Sequence, residues 1–203
     1  MEKAFGKDDV NVGASVPVRD TFGHKAHYKI EKFKGDFKTR EEAVKAGAEL
    51  FETLEFEDNC LLNSGINLLL TLGIGGTGTA WTNALAAIGI GDSATAADPT
   101  QTDLLAAINK TYKAMDATYP TNPCVNQQLV ARSTFGSADA NYVWNEIVLR
   151  NGVASGTCLN RKVQAMGTKA SGKVSRKTMM PHNYMGSDVN DNAILNLCFL
   201  PWD

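Results

Sequence analysis

The sequence predicts a mainly β (α+β) protein, an antiparallel β-sandwich with two or three short helices and extended N- and C-terminal arms. Residues 142–150 alternate between two faces and are rich in aromatic and β-branched side chains, which is typical of a packed strand. Residues 159–165 alternate again after a glycine-containing link, so residues 137–166 are predicted to form a hairpin at the heart of a sheet. Further short strand-like runs with glycine-rich turns favour an antiparallel sandwich.

The first quarter of the chain predicts an arm, a strand and a helix. Residues 1–25 carry glycines, a proline and charges, and they predict an extended arm. Residues 27–33 alternate and end before a Gly-Asp turn, which predicts the first strand. Thr39 with Glu42 three residues later forms a capping box, and an apolar stripe at helical spacing predicts a helix over residues 39–53.

A very apolar stretch, residues 61–72, runs directly into a glycine-rich loop. Gly73, Gly75 and Gly78 have the spacing of dinucleotide-binding loops, in which backbone approaches a pyrophosphate at a helix N-terminus. Asp98 lies about 20 residues downstream, where a ribose-binding acid is expected. The motif needs a preceding strand and further βαβ units, which the second half of the chain does not suggest. A helix ending in a glycine loop is therefore favoured, with a nucleotide-binding enzyme as an alternative.

The second half of the chain predicts mostly strands. Thr100 or Thr102 is a candidate cap for a short helix over residues 101–109. The predicted strands in this half, beside the hairpin, cover residues 83–91, 111–119, 126–135 and 174–180. The predicted core consists of Leu62, Ile66, Leu69, Leu85, Ile88, Leu129, Phe135, Trp144, Ile147, Leu149 and Val163.

The chain is predicted to divide into an arm, a domain and a tail. Residues 1–25 form the arm and residues 26–180 the sandwich domain. Residues 181–203 form a docking tail whose end is too apolar to remain in water, so it packs on its own domain or on a neighbour. The two terminal segments are the predicted contact arms.

Composition narrows the classes of function. The chain has 203 residues, of which 43% are apolar, and this suits one domain with a substantial core. The net charge is −2 with no basic stripe, so dedicated nucleic-acid binding is not expected. The N-terminus has no apolar run typical of a secretion signal, and no stretch reaches the roughly 20 apolar residues of a membrane span. We therefore expect synthesis in a cytoplasm and no membrane partner.

The four cysteines, Cys60, Cys124, Cys158 and Cys198, are widely spaced and contain no CxxC pair. Two disulfides are possible, but reduced thiols are the favoured interpretation.

The sequence contains no pattern typical of a catalytic, cofactor-binding or metal site. Glu146 lies within the best strand, where a carboxylate is either exposed or buried with partners. Arg161 across the hairpin is the candidate partner, and a structural pair is favoured over a catalytic acid. His24 and His27 are close in sequence, but no further ligand joins them, so a metal site is not expected. The residues singled out as structural or contact candidates are Trp144, Glu146, Arg161, Phe199 and Trp202.

Three segments of the chain stand out together: FEDNCLLNSGINLLLTL (residues 56–72), AAIGIGDSATAADPTQTDLLAA (residues 86–107) and FGSADANYVWNEIVLRNGVASGTCLNRKV (residues 135–163). In order and content they resemble a family of small tailed-bacteriophage virion proteins. The middle segment is the most specific of the three, and together they cover about half of the chain. The resemblance implies a β-sandwich structural protein of the virion, of a kind found among tail, fibre-associated and head-decorating components. The helix at residues 39–53, the basic segment near Thr168 and the C-terminal tail depart from the family pattern.

The resulting expectation is a non-enzymatic structural protein of the virion. It would assemble with copies of itself and with capsid, tail or fibre proteins, without a cofactor. A receptor- or glycan-binding module is the alternative, and it would use exposed aromatic residues such as Tyr119, Tyr142 or Tyr184 at an edge of the sandwich.

Overall fold

The chain folds into two antiparallel sheets over residues 25–124 and 128–170 and the backbone of residues 191–200, which are the residues that this computed structural model describes. The mainly β fold predicted from the sequence is confirmed. The strands are β1 Lys25–Lys34, β2 Leu50–Glu57, β3 Cys60–Leu61, β4 Ala87–Gly91, β5 Lys110–Ala114, β6 Leu129–Phe135, β7 Glu146–Arg150, β8 Cys158–Val163 and β9 Asp191–Leu200. The helices of this part are α1 Arg40–Lys45 and α2 Asn63–Gly73.

The strand order places the predicted hairpin in the middle of one sheet. The four-stranded sheet has the order β2-β1-β9-β6, and the five-stranded sheet has the order β3-β8-β7-β4-β5. Every pairing in both sheets is antiparallel. The β7–β8 hairpin therefore lies in the interior of its sheet, as the alternation of its residues predicts.

The core lies between the two sheets. Ile30 of β1 and Phe135 of β6 are buried together with Ile88 of β4 and Leu149 of β7. Of the predicted core, the residues that are buried are Leu62, Ile88, Phe135, Trp144, Ile147 and Leu149. Those that are half-buried are Ile66, Leu129 and Val163. The prediction is wrong for Leu69 and Leu85, which are 42% and 46% exposed.

The first predicted helix is much shorter than the sequence pattern suggested. Its cap is confirmed, since the Thr39 hydroxyl accepts a hydrogen bond from the Glu42 amide at 3.2 Å. The helix ends by Gly47, which adopts a left-handed conformation (φ 67°) that favours glycine after a helix C-terminus. The second half of the predicted segment 39–53 was wrongly assigned, because its residues from Leu50 onward belong to β2.

The helix predicted over residues 101–109 is absent from the described structure. The amides of Leu105 and Ala106 donate to the carboxylate of Glu146 instead of to helical carbonyls. The helix predicted over residues 61–72 is confirmed as α2. The predicted strand over residues 174–180 lies outside the described residues.

The predicted docking tail is partly an internal strand. The backbone of β9 pairs with β1 along its whole length and with β6 on its other side. Of the two alternatives for residues 181–203, Asp191–Leu200 show the one in which the tail packs on its own domain, and there the prediction of a contact arm was wrong because these residues form a strand inside the sheet. Residues 181–190 and 201–203 of the predicted tail and residues 1–24 of the predicted arm are not among the described residues, while Lys25, the last residue of the predicted arm, begins β1.

Truncated variants test whether residues 191–200 form a strand inside the sheet. Deleting everything from Asp191 onward removes the strand between β1 and β6, so we expect loss of cooperative unfolding and rapid proteolysis. Deleting only Pro201 to Asp203 leaves β9 in place and is expected to preserve the thermal transition. A cooperative transition at the same temperature in the longer truncation would contradict the placement of β9.

Candidate functional site

The outer face of the five-stranded sheet carries a buried ion pair. Residues 147 and 149 of β7 face the core, so Glu146 and Val148 face outward, toward the strap, which is defined here as residues 93–109. Arg161 of β8 lies opposite Val148 in the register, and Glu146 lies opposite Val163. The two charged residues are therefore diagonal neighbours on one face, close enough for long side chains to meet.

The Glu146 carboxylate is fully buried, and both of its oxygens accept hydrogen bonds. Its Oε2 accepts hydrogen bonds from Arg161 Nε at 2.8 Å and from the Leu105 amide at 2.9 Å. Its Oε1 accepts from the Ala106 amide at 2.7 Å. Gly91 on the adjacent strand provides the room, because a Cβ at that position would collide with the carboxylate. Glu146 therefore joins β7 to the strap.

The Arg161 guanidinium holds the other end of the strap. It donates to the Thr95 carbonyl at 2.9 Å, to the Ala96 carbonyl at 3.2 Å and to Gln101 Oε1 at 2.9 Å. Both Arg161 and Glu146 have 0% side-chain exposure. A buried pair is tolerated only when hydrogen bonds satisfy its remaining donors and acceptors, and the strap supplies them here.

A second polar cluster fixes the middle of the strap. Asp103 Oδ1 accepts from the Tyr112 hydroxyl at 2.5 Å and from Cys158 Sγ at 3.3 Å, and its Oδ2 accepts from Arg150 at 3.3 Å. The Arg150 guanidinium also lies 3.3 Å from the centroid of the Tyr112 ring. Burial raises the pKa of Cys158 and of Tyr112 well above their ordinary values, so both groups stay protonated and donate.

Apolar packing completes the strap. Leu104 is buried in a cluster with Leu62, Val148 and Cys158 beneath it. Asp103, Leu104 and the two amides that Glu146 binds are consecutive along the chain, so each residue of this stretch is anchored to the sheet. The arrangement orders a loop of small residues on a sheet, which is a structural role for both buried charges.

Trp144, the remaining candidate in the hairpin, is a core residue. It is 1% exposed, its ring meets Phe135 edge-on with centroids 5.1 Å apart, and its Nε1 donates to the Ala140 carbonyl at 2.8 Å. The backbone of Phe199 lies in β9 opposite Ala26 and Leu129. Trp202 lies outside the described residues. The structure brings Glu146 and Arg161 together, as expected from the sequence, and the contact roles of the others stay predictions.

The glycine loop does not have the environment of a nucleotide site. Gly73 is the last residue of α2, and the segment that follows Gly78 is not helical. The loop thus ends a helix instead of connecting a strand to a helix N-terminus, which removes the geometry that binds a pyrophosphate. The strand-to-helix turn that the hypothesis of a nucleotide-binding enzyme needs is therefore not formed at Gly73–Gly78.

The aromatic residues proposed for glycan binding are partly engaged inside the protein. The Tyr142 hydroxyl donates to the Ile90 carbonyl at 3.1 Å. The guanidinium of Arg132 lies 4.4 Å from the Tyr119 ring centroid. Both rings are half-buried, and Tyr184 lies outside the described residues.

Metal-binding patterns are not found within residues 25–124 and 128–170, where no group of three or more His, Cys, Asp or Glu side chains converges. His27 Nδ1 lies 3.8 Å from Glu57 Oε1, while His24 is not among these residues.

The described cysteines Cys60, Cys124 and Cys158 are free thiols. No helix in this part of the chain is long and apolar enough to cross a bilayer.

Two open pockets are lined by residues that already have internal partners. One has a volume of about 300 Å³ and contains Lys113 and Asp139, which bind each other at 2.5 Å. The other has a volume of about 470 Å³ and lies beside the strap, with Arg161 at its wall. Asp36 in the first pocket accepts from the Ser137 amide, and Lys162 in the second donates to the Glu57 carbonyl.

α2 presents an apolar face to solvent. Leu70 and Ile74 are 59% and 88% exposed and lie four residues apart, on the same side of the helix. Gly65 is the one buried residue of the helix, and a Cβ there would lie 2.5 Å from the Leu159 Cα, so the helix rests on β8 through backbone contact. Residues 59–91 contain no charged side chain. α2 and the glycine loop, which packs against Leu68 and Leu72 at Gly78, thus expose side chains without charge.

The outer face of the four-stranded sheet carries a separate set of ion pairs. Arg40 of α1 donates to both oxygens of Glu31 at 2.6 and 3.0 Å. Arg132 of β6 donates to Glu41 at 2.7 Å and to Asp116 at 2.9 Å. The hydrogen bond from Arg40 holds the pKa of Glu31 below its ordinary value of 4.5. These pairs fasten α1 and the β5–β6 connection to the sheet.

No family model, no curated protein and no solved structure matches this chain. The resemblance to virion proteins therefore stays a prediction from the sequence motifs.

The hydrogen bonds from the Leu105 and Ala106 amides to Glu146 were not predicted from the sequence, because they join residues about 40 positions apart. The polar run Gln101-Thr102-Asp103, directly before the apolar Leu104 and Leu105, was the available signal. Two of its three side chains turned inward, to Arg161 and to the Asp103 cluster.

Breaking the buried pair tests its role. Glu146→Gln leaves Arg161 as an uncompensated buried charge, so we expect a loss of about 3–5 kcal/mol in the free energy of unfolding, measured with urea. The double variant Glu146→Leu/Arg161→Met is expected to recover part of this loss. Glu49→Gln, which removes an exposed partner of Lys34, is the control and should change stability by less than about 1 kcal/mol. Equal losses in the free energy of unfolding for Glu146→Gln and Glu49→Gln would contradict a buried pair.

Acid unfolding tests the Glu31–Arg40 pair. Because the folded-state pKa of Glu31 is lowered, its contribution is present above pH 4.5 and is lost as the pH falls through the lowered value. Glu31→Gln should therefore lower stability by about 1 kcal/mol at neutral pH, since Arg40 is partly exposed. The difference in the free energy of unfolding between this variant and the unmodified protein should become smaller toward acid pH. Stability curves that stay parallel from neutral to acid pH would contradict this assignment.

Proposed function

We propose that this chain is a structural subunit of a tailed-bacteriophage virion, which assembles by contacts with copies of itself and with other virion proteins. The proposed role is non-enzymatic, and the proposed location is the virion after synthesis in the host cytoplasm. The observation that carries the assembly role is the apolar surface of α2. A helix that is apolar around most of its circumference is normally buried, yet in α2 the buried residue is Gly65 and the other ten are exposed or half-buried.

The uncharged character of this surface favours a contact between protein subunits. An interface between copies places the same residues against one another, so charged residues near its centre would repel. Residues 59–91 avoid this problem because they carry no charge. Leu70 and Ile74 provide the large exposed side chains that association would bury.

The three segments that resemble virion proteins also form one physical unit. The first contains α2, the second contains β4 and most of the strap, and the third contains β7 and β8. Gln101 of the second segment contacts Arg161 of the third, and Glu146 of the third contacts the strap. The resemblance therefore falls on an interlocked sheet, strap and helix, which supports a shared scaffold.

A charge introduced into the α2 surface tests the assembly role. Leu70→Lys/Ile74→Lys should weaken self-association at least tenfold, measured by analytical ultracentrifugation, because each lost apolar contact is worth about 1.5–3 kcal/mol when fully buried. Val44→Lys is the matched control, since Val44 is 54% exposed on α1 and away from this surface. The same variants would be scored by mass spectrometry for incorporation into purified phage particles.

A protein that is absent from purified particles would overturn the virion assignment. A monomer at millimolar concentration, or equal effects of the α2 and Val44 substitutions, would overturn the α2 contact.

A further inference from the structure

The outer edge of the four-stranded sheet is unpaired in the part of the chain that the structure describes. β2 is the last strand of its sheet and pairs with β1 on one side. Its outer residues Thr53, Glu55 and Glu57 are exposed. We call residues 53–57 the β2 edge.

The register shows which backbone groups point away from β1. The Asp58 amide donates to the Ala26 carbonyl, its direct partner, so residue 58 directs its polar groups toward β1. In an antiparallel pair this direction alternates, so Thr53, Glu55 and Glu57 direct theirs outward. Lys162 Nζ, which donates to the Glu57 carbonyl at 2.7 Å from β8, agrees with this direction. The β2 edge can therefore form ladder hydrogen bonds with one more strand.

The side chains of the β2 edge differ between its two faces. Leu54 and Phe56 are half-buried and pack at the margin of the core, where the Phe56 ring stacks on Tyr28 with centroids 4.9 Å apart. Glu55 and Glu57 lie on the outer face and are exposed. An added strand would continue the core on one face and meet carboxylates on the other.

β1 shows which side chains fit against these carboxylates. Lys29 of β1 lies directly opposite Glu55, with Nζ 3.1 Å from Oε1, and His27 lies opposite Glu57. A strand added on the other side of β2 meets the same carboxylates. Lysine or arginine at alternate positions would repeat the β1 pattern.

A second copy of β2 that pairs symmetrically about Glu55 is disfavoured at this edge. Antiparallel pairing of two copies about Glu55 would place Glu55 against Glu55 and Thr53 against Glu57. Like charges directly opposite each other destabilise a strand pair, and natural proteins use such charges to prevent edges from pairing with themselves. Charge therefore selects a different, basic strand.

We propose that the β2 edge binds an extended segment of a partner protein in which lysine or arginine alternates with apolar residues. Binding occurs by strand addition, with main-chain hydrogen bonds to Thr53, Glu55 and the Glu57 amide, since Lys162 already donates to the Glu57 carbonyl, and with apolar side chains against Leu54 and Phe56. This surface is separate from α2, and the proposal does not depend on the virion assignment.

A model peptide tests the proposal on the full chain in solution. The probe is a peptide of about nine residues in which lysine alternates with valine, within the usual length of a strand. We expect binding that weakens with added salt, and slower hydrogen exchange at the amides of Thr53, Glu55 and Glu57 in particular. Control peptides replace lysine with glutamate, or keep the composition but group the lysines together, and neither is expected to bind.

Variants of the edge separate charge from backbone pairing. Glu55→Gln/Glu57→Gln should weaken peptide binding between about twofold and thirtyfold, because two cross-strand charge pairs are lost. Glu49→Gln, an acid outside the edge, should leave binding unchanged. Thr53→Pro removes an amide that points away from β1, so it should abolish binding, while Thr53→Val retains it.

Several results would overturn the proposal. They are equal binding of the glutamate peptide or the grouped peptide, no binding at millimolar peptide, and protection confined to amides outside residues 53–57. If the amides of residues 53–57 became protected as the protein concentration rose without peptide, this would show that the edge pairs with itself, and it would also overturn the proposal. The charge variants keep the test decisive if Thr53→Pro does not fold.

Discussion

The contact between Glu146 and Arg161 determines how one face of this sandwich is covered. A carboxylate and a guanidinium with no exposed side-chain surface bind each other across the β7–β8 hairpin, and between them they bind the backbone of the strap at both ends. Neither charge would be tolerated there without the other, and neither would be satisfied without the strap. The strap in turn places Leu104 over the outer face of the five-stranded sheet.

The elements that could be predicted from the sequence are those specified by near neighbours. Alternation within β7 and β8 gave the hairpin, its central position and the Glu146–Arg161 partnership, and the Thr39 cap gave the start of α1. The helix proposed over residues 101–109 failed because Glu146 binds its amides from a strand about 40 residues away. The strand at residues 191–200 was not predicted for a similar reason, because its position depends on pairing with β1 and β6, which are distant in the sequence.

Scaffold and contact surfaces are separate in this molecule. The motif residues Gln101, Glu146 and Arg161 bind one another or the strap inside the protein, so the resemblance to virion proteins is carried by residues that maintain the fold. The surfaces available to partners have different chemistry: the face of α2 is apolar and uncharged, and the β2 edge is acidic with open backbone groups. These two surfaces suit the proposed subunit, which would associate with its own copies through one and bind another protein through the other.

Native-state hydrogen exchange at the amides of Leu105 and Ala106 tests most directly whether the buried pair orders the strap. Both residues lie in a segment without regular secondary structure, where amides usually exchange fast. If Glu146 binds them as the structure shows, their exchange should slow to a rate near that set by global unfolding, comparable with the amides of β7. Exchange at the rate of an exposed loop, with β7 still protected, would contradict the account.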